Sequence, residues 1–221
     1  MNEHYPFVNP PLPYAYDALE PYIGKQTLYL HHDKILQRYF MNLNNILSIY
    51  PDLQTMSLEE LLSNAEDLPP EIRQSVINNA SVIYNHLIYF NGMSSPSERY
   101  QTTYLNPAII RNFGSVEQFF NEIKRNALSL FGVGYVWIVL DSNGDLQIIT
   151  TPNDISLMAD DLCILAVIDL WEHAYYLNRY NDRNAYIEDW FHVFSWEKAD
   201  ERFENCIKAD NSPSSILAER F

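Results

Sequence analysis

The chain has 221 residues, 47% of them hydrophobic, with 16 tyrosines and 11 phenylalanines. That composition excludes a disordered chain and suffices for one large folded unit or two small ones; no apolar run reaches a bilayer span, and no basic start followed by an apolar segment marks a signal peptide. The formal net charge of −15 opposes binding to nucleic acid or to an anionic membrane, so neither is expected as a partner. Cys163 and Cys206 lack metal-ligand spacing, and a cytoplasmic protein with reduced thiols is the simplest expectation.

The first twenty residues are proline-rich and read as extended. From Gln26 to Ser48 the pattern is helical, with His31, Ile35, Tyr39 and Leu43 on one stripe and Leu28, Leu36 and Leu47 nearby. A capping box, Ser57 to Glu60, opens a short helix. Pro69 and Pro70 open a long one, whose Ile72, Val76, Ile83, Leu87 and Phe90 recur at helical spacing before Gly92 closes it. The two long helices form an antiparallel hairpin. The stretch "MSSPSERYQTTYLNP" reads as a boundary, and a helix near 115–131 follows, with Gln118 three residues after Ser115. "GYVWIVLDSNGDLQIIT" is two strands around Asn143-Gly144. "DLCILAVIDLW" is a third strand, apolar on both faces and therefore placed at the centre. "NAYIEDWFHVFSWEKADERFENC" returns to helix. The expected class is α+β: residues 1–94 a helical hairpin, 95–208 an α/β domain around a three-stranded antiparallel sheet, 209–221 a tail.

Polar groups in an apolar run need partners. In "VIDLWEHAYYLNRY", Asp169 ends a strand and His173 follows four residues later. His31 and His86 each lie on the inner stripe of a long helix. Three imidazoles and one carboxylate make a ligand set for a first-row transition metal with one position left open. The other histidines have ordinary readings: His4 is solvated, His32 points about 100° away from His31, and His192 is a packed, hydrogen-bonded residue.

"LPYAYDALEP", "LHHDKILQRYFMNLN", "NNASVIYNHLIYFNG" and above all "DLWEHAYYLNRYNDRNAYI" resemble the iron/manganese superoxide dismutases, over about residues 10 to 205. The resemblance implies the same hairpin-plus-sheet fold. It also implies disproportionation of superoxide to oxygen and hydrogen peroxide by one iron or manganese ion per subunit. By resemblance the ligands are His31, His86, Asp169 and His173. Tyr39 matches the tyrosine that guards the substrate channel and hydrogen-bonds toward solvent at the metal. Glu172 matches a glutamate that crosses a homodimer interface to His173 of the partner subunit, and Tyr176 an interface tyrosine. Trp137 and Trp171 match aromatic walls, and Lys34 and Arg183 match basic positions around the substrate funnel.

The chain also departs from that pattern. Ile35 stands where the family usually has a second histidine. A glutamine near the metal is supplied in manganese enzymes from the hairpin end and in iron enzymes from the second helix; those places hold Asn153 and Val82. Tyr135 replaces a tryptophan, and Tyr22 a common histidine. Asn153 is one methylene shorter than glutamine, so the choice of metal stays open. Two readings follow: an iron- or manganese-dependent dismutase, or a dismutase-like metal-binding protein with weak or no activity. Metal-assisted hydrolysis by the same ligands lacks a recognisable general base.

Overall fold

The computed structural model describes residues 4–96, 101–158, 160 and 162–210. The tail beyond 210 and part of the expected boundary stretch lie outside the described residues. The first hairpin arm is one continuous helix in three registers: α1 (Lys25–Leu28), a π-helical stretch (Tyr29–Leu36) and α2 (Gln37–Leu47). Its i→i+5 hydrogen bonds widen the turn between His31 and Leu36. The inward stripe therefore runs His31, Leu36, Phe40, Leu43 and Leu47, and the half-buried Ile35 falls to its side. This corrects the stripe expected from uniform 3.6-residue spacing.

Between the arms, α3 (Leu58–Ser63) starts with the expected capping box: Ser57 accepts the Glu60 N–H and Glu60 accepts that of Ser57. The second arm, α4 (Pro70–Asn91), has Pro70 in its first turn, where no N–H is needed. It packs on α2, and its Val76, Ala80 and Ile83 are buried.

α5 (Leu105–Phe113) falls within and just past the stretch expected to be irregular. Thr102 Oγ1 accepts the Asn106 N–H at 2.9 Å, and the other capping of its first turn comes from a distance. The Asp200 carboxylate accepts the N–H groups of Thr103, Tyr104 and Leu105 at 3.1, 2.8 and 2.7 Å. A cap supplied from 95 or more residues away leaves no local signature. α6 (Val116–Ser129) begins as expected, with Ser115 accepting the Gln118 N–H.

Strands β1 (Gly134–Leu140), β2 (Leu146–Pro152) and β3 (Cys163–Asp169) form an antiparallel sheet in the order β2-β1-β3. β1, not β3, is therefore central. β3 is apolar on both faces because α4 and the C-terminal helix α9 (Trp196–Asp210) pack against it. Arg202 of α9 donates to its Leu165 carbonyl at 2.8 Å. A covered edge strand and a central strand carry the same hydrophobic pattern. Gly134 must be glycine: its φ is +154°, and a Cβ there would sit 2.1 Å from the Thr151 carbonyl.

After β3 come α7 (Tyr176–Arg179) and α8 (Arg183–Val193). The single helix expected here divides at Phe194–Ser195, where the chain pairs with the end of α4. Ser94 N–H meets the Val193 carbonyl, and Ser195 N–H the Gly92 carbonyl, both at 2.9 Å.

The expectation of reduced thiols is overturned. Cys163, at the start of β3, and Cys206, on α9, form a disulfide with Cα atoms 6.1 Å apart. They lie 43 residues apart, so no local spacing announces the pair. By the chain-entropy relation a loop of that size is stabilised by about 4 kcal/mol. The prediction is that Cys206→Ser lowers unfolding stability by about 2–4 kcal/mol in urea titration. Two titratable thiols in the native, unreduced protein would contradict the pairing.

Candidate metal centre

Four donors from four elements of the chain meet where the hairpin joins the sheet. His31 comes from the π-helical stretch, His86 from α4, Asp169 from the last position of β3, and His173 from a 3₁₀ turn (Glu172–Ala174). One ligand atom from each lies within 4.8 Å of every other. Asp169 Oδ2 is 3.2 Å from His31 Nε2, 3.6 Å from His86 Nε2 and 3.5 Å from His173 Nε2. His31 and His173 Nε2 are 3.1 Å apart.

Local chemistry sets these orientations. Asp169 Oδ1 accepts the Trp171 N–H at 2.7 Å. That Asx-type turn ends the strand and aims Oδ2 inward. His86 Nδ1 donates to the Val82 carbonyl at 2.8 Å, which leaves the Nε2 lone pair facing Asp169. Trp171 stacks on His173 at 5.8 Å, and the His31 and His86 rings meet edge-on at 4.8 Å.

Among the described residues, Asp169 Oδ2 and His86 Nε2 are buried with no hydrogen-bond partner. The imidazole nitrogens stand close to Oδ2 without hydrogen-bond geometry toward it. Buried polar atoms are rarely left so. An ion with bonds of about 2.0–2.2 Å leaves neighbouring ligand atoms about 3 Å apart, close to the separations observed. The residues therefore fit a metal ion.

Electrostatics agree. Burial, with repulsion from His173, pushes His31 down to about 3 despite Asp169. Burial likewise pushes His86 down to about 4. Burial alone would raise the Asp169 carboxyl, but the His173 and His31 imidazoles close beside it outweigh burial and hold the group well below the usual carboxylate range. The set is thus two neutral imidazoles in the interior, a third at the mouth, and one anionic oxygen.

A cavity of about 570 Å³ lies beside this cluster, lined in part by Tyr39, Ser81, Val82, Asn153 and Asp154. Tyr39 is half-buried, and burial followed by the Asp154 charge keeps its hydroxyl protonated above the ordinary tyrosine range. Tyr135 is fully buried with its ring 6.3 Å from that of His86. Trp137 is also fully buried. It sits 5.8 Å from Tyr135 and donates to Thr151 Oγ1 at 2.8 Å, so it backs the site rather than bordering it.

Asn153 lines this cavity from the turn at the end of β2. Its φ of +54° puts it in the left-handed region and its side chain is exposed. The next residue turns inward: Asp154 Oδ1 accepts the Tyr135 hydroxyl at 3.3 Å. Asparagine tolerates the left-handed turn, so "PND" contained the signal that Asn153 makes the bend and Asp154 faces the site.

Glu172 and Tyr176 are exposed, beside exposed Leu177 and Tyr180. Lys34 is exposed over the Tyr29 ring at 5.0 Å. Arg183 donates to the Leu130 and Gly132 carbonyls and to the Tyr175 hydroxyl, so it braces a loop. His192 is exposed and stacks on Tyr22 at 4.3 Å, contrary to its expected packed position. His32 is buried and bonded to Asp33 and the Pro10 carbonyl, away from the cluster.

Comparison with known proteins agrees with this geometry. Residues 6–94 match the model for the alpha-hairpin domain of iron/manganese superoxide dismutases. Residues 101–202 match that for the C-terminal domain. A superoxide dismutase of Yersinia enterocolitica, named for manganese, is 38% identical over 200 residues, 88% of this chain and 96% of its own length. A second such protein, from Bacillus anthracis and also named for manganese, is 37% identical over 203 residues, 92% and 97% of the two chains. With both halves of the fold matched and the four donors gathered at their junction, the chain belongs to the iron/manganese superoxide dismutase family.

Proposed function

We propose that His31, His86, Asp169 and His173 hold one manganese ion per chain and that superoxide is disproportionated there to oxygen and hydrogen peroxide. The observation that carries this reading is the convergence of the four donors, two of them through buried atoms without a hydrogen bond. A bound ion of this class supplies one-electron cycling between trivalent and divalent states. The remaining work falls to side chains. Asp169 offsets part of the cation's charge and so helps set its potential. The Val82 carbonyl fixes the His86 tautomer. Tyr39 keeps its proton and stands in the cavity wall, where it can hydrogen-bond an incoming small anion. Trp171, stacked on His173, restricts water at the mouth. Manganese is favoured over iron because both relatives carry that metal in their names.

The same reading makes the protein a homodimer, with Glu172 reaching His173 of the partner subunit and Tyr176 in the interface. Exposed Tyr176, Leu177 and Tyr180 form an apolar surface suited to such a contact. Among the described residues no helix is long and apolar enough to cross a membrane. The Cys163–Cys206 pair counts against the cytoplasmic placement, because thiol buffers there keep cysteines reduced, and it supports an oxidising compartment.

Purified protein reconstituted separately with manganese and iron should dismutate superoxide at its higher rate with manganese. Full loading with no activity from either metal would replace this reading with that of a metal-binding relative. His86→Ala and Asp169→Ala should each lower bound metal at least tenfold by elemental analysis, and stoichiometric metal in either would remove these residues from the ligand set. Glu172→Ala should weaken the dimer by about tenfold, roughly 1.4 kcal/mol. Dimer dissociation unchanged in sedimentation at low concentration would contradict the interface role.

A further inference from the structure

The bridge between Cys163 and Cys206 joins two sulfurs in unequal surroundings. Cys206, on α9, is buried, whereas Cys163, at the first position of the edge strand β3, is half-buried. A thiol arriving from solvent therefore meets Cys163 first.

A cation stands beside the buried member. Arg202 lies four residues before Cys206, on the same face of α9. Its Nη1 donates to the Leu165 carbonyl at 2.8 Å, two residues along β3 from Cys163. The guanidinium and the Cys206 sulfur thus face the same stretch of strand. Other charges of α9 are taken up in the Lys198–Glu201 and Lys208–Glu204 pairs, and among the described residues no ion pair joins Arg202 to a carboxylate. Burial pushes its guanidinium down, although Tyr84 and Glu201 offset part of the effect. Arginine keeps its proton in proteins, so this is a largely buried cation short of a counter-ion. An intact disulfide carries no charge and cannot supply one; a thiolate on Cys206 can.

We propose that Cys163–Cys206 is a site of thiol–disulfide exchange whose partner is a dithiol reductant, which attacks Cys163 and expels Cys206 as a thiolate facing Arg202. A neighbouring cation makes a thiol a better leaving group and stabilises the reduced form. The reductant's thiolate bonds to the Cys163 sulfur as the S–S bond breaks, and the electron pair leaves with Cys206. The reductant's second thiol passes its proton to Cys163 and closes the reductant's own disulfide. Two electrons reach the protein, which is left with a thiol at Cys163 and a thiolate at Cys206. The covalent fastening of α9 on β3 is thereby reversible.

The test treats the native protein, without denaturant, with dithiothreitol or with glutathione. Dithiothreitol should release two alkylatable thiols. After glutathione and a maleimide quench, peptide mass spectrometry should find glutathione on Cys163 and maleimide on Cys206. In the reduced protein one thiol should ionise below the ordinary value of about 8.5, read by ultraviolet thiolate absorbance. Arg202→Leu should lower the reduced-to-oxidised ratio in a glutathione buffer about tenfold, which is about 30 mV for two electrons. Arg202→Lys, which keeps the charge, should stay near wild type. Reduction should also speed amide hydrogen exchange in α9 and leave α4 protected. A bridge that resists dithiothreitol until the protein unfolds, glutathione on Cys206, or an unchanged ratio in Arg202→Leu overturns the inference. Should Arg202→Leu fail to fold, the mapping and the thiolate titration of the unaltered protein decide it.

Discussion

A fully buried carboxylate oxygen surrounded by imidazole nitrogens governs the rest of this structure. Asp169 has no solvent access, and its inward oxygen has no hydrogen bond among the described residues. Isolated, such a charge costs several kcal/mol. Protonation would relieve it, yet the close approach of His173 and His31 keeps the proton off. A cation is the remaining way to offset the charge, and its binding energy then becomes part of the folding energy. The elements that hold the donors must therefore be stiff without it.

Much of the fold supplies that stiffness. The π-helical stretch brings His31 inward and leaves His32 free to bond the Pro10 carbonyl, which anchors the extended N-terminal segment. Such widened turns recur at functional sites because they trade helical regularity for side-chain direction. On the opposite side, α9 covers β3 and is fastened to it by the Arg202–Leu165 hydrogen bond and by Cys163–Cys206. β3 is an edge strand that ends in a metal donor, so these fastenings hold Asp169 where the sheet has no further strand to hold it.

The ligand set was legible because each donor sits at a position where an apolar pattern is broken: two histidines on inward helical stripes, and the Asp169–His173 spacing after a strand. The hairpin and the Asn143-Gly144 turn were legible for similar reasons, being local. Features set by distant groups were hidden. Burial of both faces of β3 came from helices, not from neighbouring strands. α5 takes its cap from Asp200, and Cys163 finds its partner 43 residues on. At Asn153 backbone conformation matters as well as residue size. A positive φ belongs to the asparagine and turns the aspartate inward.

The chain's acidity and its anionic substrate are reconciled by distance. At physiological ionic strength charges more than about 8–10 Å apart are largely screened, so most of the net charge of −15 does not reach the cavity. What matters is the local balance. A trivalent ion outweighs Asp169 and Asp154 together and leaves an attractive site. Neither Lys34, over an aromatic ring, nor Arg183, against neutral carbonyls, is paired with a carboxylate in these contacts. Reduction to the divalent state narrows that surplus, and each carboxylate near the metal narrows it further. Their number and placement thus bear on potential and on anion attraction at once.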